Sequence, residues 1–277
     1  MLLELLLMKD KNEILATNKK LWDYWASLHP TTEFYNEKKF LVNRCSLHLL
    51  EKQLLGDVKD KDILHLQCHF GQDTLSLADL GARVIGVDFS SIAIDKAKKL
   101  KSKLEAAKPL KGSATFVESD VLALNLDRKF DIIFTSYGVL PWLPNLGDWA
   151  TVIQQHLRQN GKLVLVEFHP FIYILNDSFD GIDPAKPYSS NGKPIERQNR
   201  SYTDKINTIP LTNFIYNHSL GTILEELHKA DLIDLQLKEY DYSSYNCFPN
   251  MEKIGEEQYR NSKLSIPLMF SIIAARK

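Results

Sequence analysis

The chain has 277 residues, 44% of them hydrophobic and 25% charged, which is enough for a sizeable core and for one large α/β domain carrying an insertion. Its 34 Lys and Arg balance 35 Asp and Glu, so no excess positive charge draws in a polyanion, and nucleic-acid partners are disfavoured. Cys45, Cys68 and Cys247 are far apart and show no zinc-type spacing, which predicts no structural metal and a reducing, cytoplasmic setting.

The first eight residues, Met1 to Met8, are apolar but short, include Glu4 and lack a preceding basic stretch. They are expected neither to span a bilayer nor to direct secretion, and Met8 offers an alternative start. Residues 12 to 55 read as helical and carry a dense aromatic set that includes Trp22, Trp25, Phe34 and Tyr35. These rings serve either the core or a cover over a ligand.

From Lys61 the pattern alternates between strands and helices, which implies parallel strands covered on both faces. The expected strands are Ile63 to Gln67, Arg83 to Asp88, Ala114 to Glu118, Phe130 to Ser136 and Lys162 to Phe168. The expected helices are Gln72 to Leu80, Ser91 to Ala107 and Asp148 to Gln159, the last closed by Asn160-Gly161 as a C-cap. Pro184, Pro187, Pro194 and Pro210 break the alternation, so residues 170 to 215 read as a loop-rich insertion of short strands on the ligand side. A helix over Asn217 to Ala230 and strands over Leu235 to Tyr242 and Pro267 to Ala275 complete the domain, residues 56 to 277.

The densest chemistry lies in Asp62-Ile-Leu-His-Leu-Gln-Cys-His-Phe-Gly71-Gln-Asp-Thr-Leu75 and Gly81-Ala-Arg-Val-Ile-Gly-Val-Asp88-Phe-Ser90. A strand, a tight turn ending in glycine, a helix and a second strand ending in an acid form the frame of a nucleoside pocket. Gly71 lets the backbone pass close to a ligand, Asp73 or Thr74 can cap the helix, and Asp88 can take two hydrogen bonds from a ribose diol. Asp88 can instead cap the helix that follows.

His65-Leu-Gln-Cys-His-Phe-Gly71 stands where class I S-adenosylmethionine-dependent methyltransferases carry Asp-Leu-Gly-Cys-Gly-Thr-Gly. The chain resembles that family, in particular a bacterial branch with a Leu-His-Leu-Gln-Cys-His-Phe-Gly signature. The resemblance implies a doubly wound, mostly parallel seven-stranded sheet, S-adenosylmethionine as cofactor, and a lid formed by residues 1 to 55, with Trp22, Trp25 and Tyr35 as its cofactor-facing rings. It places Gln67, His69, Gly71, Gln72, Asp88, Phe89 and Ser90 at the cofactor, with His69 close to the methionine moiety, Asp88 at the ribose and Phe89 beside the adenine. Asp120 and Val121 fall at the adenine, and Ser136 and Tyr137 at the transfer site.

Ser136-Tyr137-Gly138 replaces the Asn/Asp-Pro-Pro-aromatic motif of enzymes that methylate DNA bases or glutamine amides, which shifts the expected acceptor to a small molecule. His169 and His218 are candidate general bases, because imidazole titrates near neutral pH, although a histidine at a strand end is more often a satisfied structural group and His218 can instead cap the helix start with Asn217. Two rival readings stand beside methyl transfer. One is a non-catalytic S-adenosylmethionine-binding protein. The other is a nicotinamide-dependent oxidoreductase, which requires a Gly-x-Gly-x-x-Gly turn that this chain lacks.

Overall fold

The computed structural model describes residues 10–203 and 208–276, so the expectation for Met1 to Met8 lies outside the described residues. Strands β1 (Asp62–Leu66), β2 (Arg83–Asp88), β3 (Ser113–Glu118), β4 (Phe130–Ser136) and β5 (Leu157–Phe168) pair in parallel. β6 (Ile195–Asn199) and β7 (Leu211–Ile215) form an antiparallel hairpin, as do β9 (Met251–Gly255) and β10 (Gln258–Asn261). β8 (Leu232–Tyr240) and β11 (Met269–Arg276) complete a seven-stranded sheet of order β3-β2-β1-β4-β5-β11-β8, in which β11 runs antiparallel to both neighbours. This is the mostly parallel, doubly wound sheet expected from the sequence.

Burial on both faces explains the continuous apolar runs. On β1, Leu64 and Leu66 enter a core with Trp149 and Ile153 of the helix Leu146–His156, while Ile63 points to the opposite core with Leu75, Leu77 and Leu100. β5 alternates in the same way, with Leu163 and Leu165 on one face and Val164 on the other. Trp149 is fully buried, and truncating such a ring to alanine costs about 3–5 kcal/mol.

The helices, in chain order, are α1 (Lys11–Leu28), α2 (Glu37–Asn43), α3 (Leu49–Leu55), α4 (Gln72–Asp79), α5 (Ser91–Ala107), α6 (Leu146–His156) and α7 (Leu220–Lys229). The N-terminal segment is therefore helical in pieces. Pro30 opens a 3-10 turn after α1, and Asn36 and Arg44 flank α2 with left-handed backbone. Among the described residues no helix is long and apolar enough to cross a membrane.

Several boundaries differ from the sequence reading. α6 stops at His156 and Leu157 is already extended, so Asn160-Gly161 is no helix cap. Asn160 takes a φ of +61 inside β5, and a Cβ on Gly161 would come within 2.9 Å of Arg158 O and 3.0 Å of Phe130 O, so glycine there serves the approach of β4. α7 begins at Leu220, capped by Ser219 Oγ accepting from Thr222 N at 3.1 Å, rather than at Asn217. β8 starts at Leu232, ahead of the predicted Leu235.

Candidate active site

The turn from Gln67 to Gly71 leaves β1 at the carboxyl edge of the sheet, where crossover strands open a crevice. Gln67 has a φ of +54, His69 of +50 and Gly71 of +81. Two bulky residues thus adopt the left-handed conformation that glycine takes without strain, at a cost of roughly 1–2 kcal/mol each.

Gly71 itself is required from behind. A Cβ there would lie 2.6 Å from Phe116 Cε1 and 3.0 Å from the Ala97 Cβ. The glycine therefore seats the turn on β3 and α5, in addition to lining the cavity. It also occupies the N-cap position of α4 with no side-chain cap, because Asp73 and Thr74 are engaged elsewhere. Asp73 accepts from Ser46 Oγ at 2.5 Å, and Thr74 Oγ1 lies 2.8 Å from His65 Nδ1. His65 is buried against Phe134, and burial lowers its pKa to about 4, which fixes it as a neutral structural group.

Asp88 ends β2 as a buried carboxylate. Its Oδ2 accepts from the His69 amide at 2.8 Å and its Oδ1 from the Ser90 amide at 2.9 Å. Burial raises its pKa to about 6, against the pull of those two amides. Asp120 follows β3 and caps a 3-10 turn through Leu122 N at 3.0 Å.

These groups share one cavity of about 970 Å³, near the upper end of the range for small-molecule sites. Gln67, His69, Gly71 and Gln72 line it along the turn. Asp88, Phe89, Asp120 and Val121 line it along the exits of β2 and β3, and Ser136 and Tyr137 along that of β4. Trp22 and Tyr35 contribute from the N-terminal segment.

Helix α1 is fastened over this edge. Lys19 Nζ donates to Phe89 O and to Glu118 Oε1, the latter at 2.9 Å, and Ser90 Oγ donates to Asp23 Oδ1 at 2.5 Å. Asn18 is buried and exchanges two hydrogen bonds with the backbone of Phe214 on β7, at 2.8 and 2.9 Å. The Trp22 ring meets Trp142 edge-on at 5.2 Å and His69 at 5.4 Å, forming an aromatic roof.

Four predicted site residues lie outside the cavity lining. Ser90 is buried, where its hydroxyl caps α5 through Ala93 N and holds Asp23. Trp25 packs behind the roof on His29 and Tyr202. His169 caps the 3-10 turn Pro170–Ile174, its Nδ1 accepting from Phe171 N at 3.1 Å and its Nε2 donating to Glu239 at 2.8 Å, which leaves neither nitrogen for a substrate. His218 places Nε2 at 2.9 Å from Leu143 O in a separate small hollow beside Leu140 and Pro141. A histidine at a strand end is visible in the sequence, but the direction of its ring is not.

Other residues joined the site without a sequence signal. His29 Nδ1 lies 2.8 Å from His69 Nε2, and its Nε2 lies 3.0 Å from Ser201, while burial lowers its pKa to about 3. Glu167, buried in β5, accepts from the amides of Gly138, Val139, Leu140 and Phe168 and so shapes the loop that carries Tyr137. Tyr202 and Tyr245 line the cavity from loops whose role the sequence left open.

Gln67 Oε1 and His69 Nδ1 are buried without a hydrogen-bond partner among the described residues. Their presence in the turn beside Asp88 fits a ligand with polar groups at both ends, as an adenosyl amino acid has. No group of His, Cys, Asp and Glu among the described residues is arranged to hold a metal.

Residues 63–161 match the family model described as a methyltransferase domain. The SAH complex of DhpI aligns with a TM-score of 0.57 and 13% identity, over 96% of this chain and 98% of that one. The chain has the class I methyltransferase fold. Within that fold, a stretch of 105 residues is 34% identical to the mitochondrial ubiquinone biosynthesis O-methyltransferase of Schizosaccharomyces pombe, covering 38% of this chain and 37% of the relative. A stretch of 122 residues is 27% identical to "Probable thiol methyltransferase 2" of Arabidopsis thaliana, covering 44% and 51%. The chain thus spans about half or less of the length of these two relatives.

Proposed function

We propose that this chain is an S-adenosylmethionine-dependent methyltransferase of the cytoplasm that acts on a small-molecule acceptor, in the branch marked by the Leu-His-Leu-Gln-Cys-His-Phe-Gly turn. The observation that carries this reading is the link between turn and acid, in which His69 N donates to Asp88 Oδ2 beneath the roof made by α1. The methyltransferase match over residues 63–161 supports it, as does the SAH bound by the fold relative DhpI.

When bound, S-adenosylmethionine supplies a methyl group on a sulfonium centre. Asp88 accepts the ribose hydroxyls, Phe89 lies beside the adenine, and Asp120 with the Val121 amide meets its polar edge. Gln67 Oε1 and His69 Nδ1 take donors from the amino-acid end. Trp22, Tyr35 and Trp142 exclude water, so rate comes from holding the acceptor in line in a dry site. A dinucleotide is disfavoured, because side chains at positions 67 and 69 stand where a pyrophosphate needs bare backbone.

Calorimetric titration with S-adenosylmethionine, S-adenosylhomocysteine (SAH) and NADH tests the proposal. Micromolar binding of both adenosyl ligands and none of NADH is the expected result. A folded protein that binds neither adenosyl ligand would overturn it.

A further inference from the structure

Asp88 and Asp120 sit at the exits of β2 and β3, on one side of β1, and the cavity wall at the exit of β4 lies on the other side, away from the adenosine groups they serve. Tyr137 lines that wall. Its backbone is left-handed, with φ +46, and its amide donates to Val166 O at 2.9 Å, so the ring is aimed by a strained exit turn. The Tyr137 hydroxyl donates to Oε1 of Glu51 on α3 and lies 3.4 Å from Ser244 Oγ. Glu51 is 1% exposed, and its Oε2 has no hydrogen-bond partner among the described residues. Folding rarely leaves a carboxylate so placed without a task, since burying it is costly.

We propose that Glu51 and Tyr137 form the acceptor's binding and proton-receiving pair, and that the acceptor is an amine. This rests on the methyltransferase reading of the same cavity. A phenol that donates to Glu51 keeps its oxygen lone pairs for an incoming N–H. The cavity lining favours a cation over an anion. Apart from Asp88 and Asp120, which serve the cofactor, Glu33, Asp73 and Glu257 line it against Lys39 and Lys52, and among the described residues no arginine lines it to pair an acceptor carboxylate or phosphate. Phe34 and Tyr245, stacked at 5.2 Å, add aromatic surface of the kind that takes ammonium groups.

The step balances. One ammonium proton passes to the Tyr137 oxygen as the phenol proton passes to Glu51. The freed nitrogen pair forms the C–N bond while the C–S bond breaks, and the C–S bonding pair stays on sulfur, which becomes a neutral thioether. Tyr137 touches the acceptor, whereas Glu51 is a positioning residue that acts through it.

The test is a titration of the full chain, with and without SAH, using benzylamine, benzyl alcohol and benzoate and followed by tryptophan fluorescence. Benzylamine is expected to bind on the order of tenfold more tightly than either isostere. Glu51→Gln and Tyr137→Phe should each bring the amine-to-alcohol ratio toward one, a change that a general loosening of structure would not produce. Melting curves certify each fold, and Tyr137→Phe, which removes a single oxygen, decides the matter if Glu51→Gln does not fold. A wild-type ratio near one, a preference for benzoate, or a ratio unchanged in the folded variants overturns the proposal. Absence of SAH binding by the wild type counts against the methyltransferase reading alone, because the ratio measured without SAH still decides this one.

Discussion

The His69 amide donates to Asp88 Oδ2 at 2.8 Å while the Ser90 amide donates to Oδ1 at 2.9 Å, so one carboxylate ties the β1 turn to the end of β2 before any ligand arrives. Asp88→Asn would turn an amide NH₂ against one of these N–H groups. Leaving one buried donor unsatisfied costs about 1–3 kcal/mol. The melting temperature should fall by several degrees, and SAH affinity should drop by at least about tenfold as an acceptor for the ribose is lost. Scanning fluorimetry with calorimetry checks both, and a variant that melts and binds like the wild type would refute the assignment of Asp88.

The same carboxylate sets a pH dependence. Burial raises its pKa to about 6 from an ordinary 3.8, so Asp88 takes up a proton as pH falls through about 6. The ionised form is the better acceptor for two hydroxyls, and SAH affinity is therefore expected to be flat above about pH 7 and to decline below 6, by up to about tenfold per pH unit. The stability linkage of this group has the opposite sign. The folded state holds the proton more tightly than the unfolded chain, so the cost of the buried charge is present above pH 6 and is relieved as pH falls toward 4. Calorimetry from pH 5 to 8 reads the binding term, and affinity that rises on acidification would contradict it.

Gly71 separates packing from ligand approach. Gly71→Ala puts a Cβ 2.6 Å from Phe116 Cε1 on a backbone with φ +81, so both a clash and left-handed strain follow. A loss of about 2–4 kcal/mol is expected, and Phe116→Leu in the same chain should return part of it by withdrawing the ring. Chemical denaturation of the two single variants and the double variant measures the coupling. Strict additivity would mean that Phe116 is not the residue that demands glycine.

The sheet was legible because period-two burial on two faces writes long apolar strands into the sequence, as Ile63, Leu64 and Val164 show. Asp88 and Gly71 were legible because an acid ending a strand and a glycine ending a turn are costly choices with few purposes. The aromatic roof was only half legible. Trp22 and Trp25 stand three residues apart on α1, and nothing in their spacing says that Trp22 meets the cavity while Trp25 packs behind it. Glu51 sits in Leu-Leu-Glu-Lys, which reads as an ordinary helix, and its hydrogen-bond partner Tyr137 lies far away in the chain. The directions of His169 and His218 likewise depend on partners, Glu239 and Leu143 O, that no local pattern announces.

Asn18 fixes how α1 sits over the cavity. It lies on the helix that carries Trp22 and is 3% exposed, donating to Phe214 O at 2.8 Å and accepting from Phe214 N at 2.9 Å. Asn18→Ala removes two buried hydrogen bonds to the Phe214 backbone, at a cost of about 1–3 kcal/mol. Lys19 still anchors α1 through Phe89 O and Glu118, so the helix should loosen on the β7 side alone. Ligand escape past Trp22 then becomes easier, and SAH is expected to dissociate roughly tenfold faster with little change in association, since affinity changes at a site lie mostly in the off-rate. Stopped-flow displacement of SAH measures this directly. Unchanged dissociation in a variant that has lost the expected stability would mean that α1 is a fixed wall of the site, with no part in gating it.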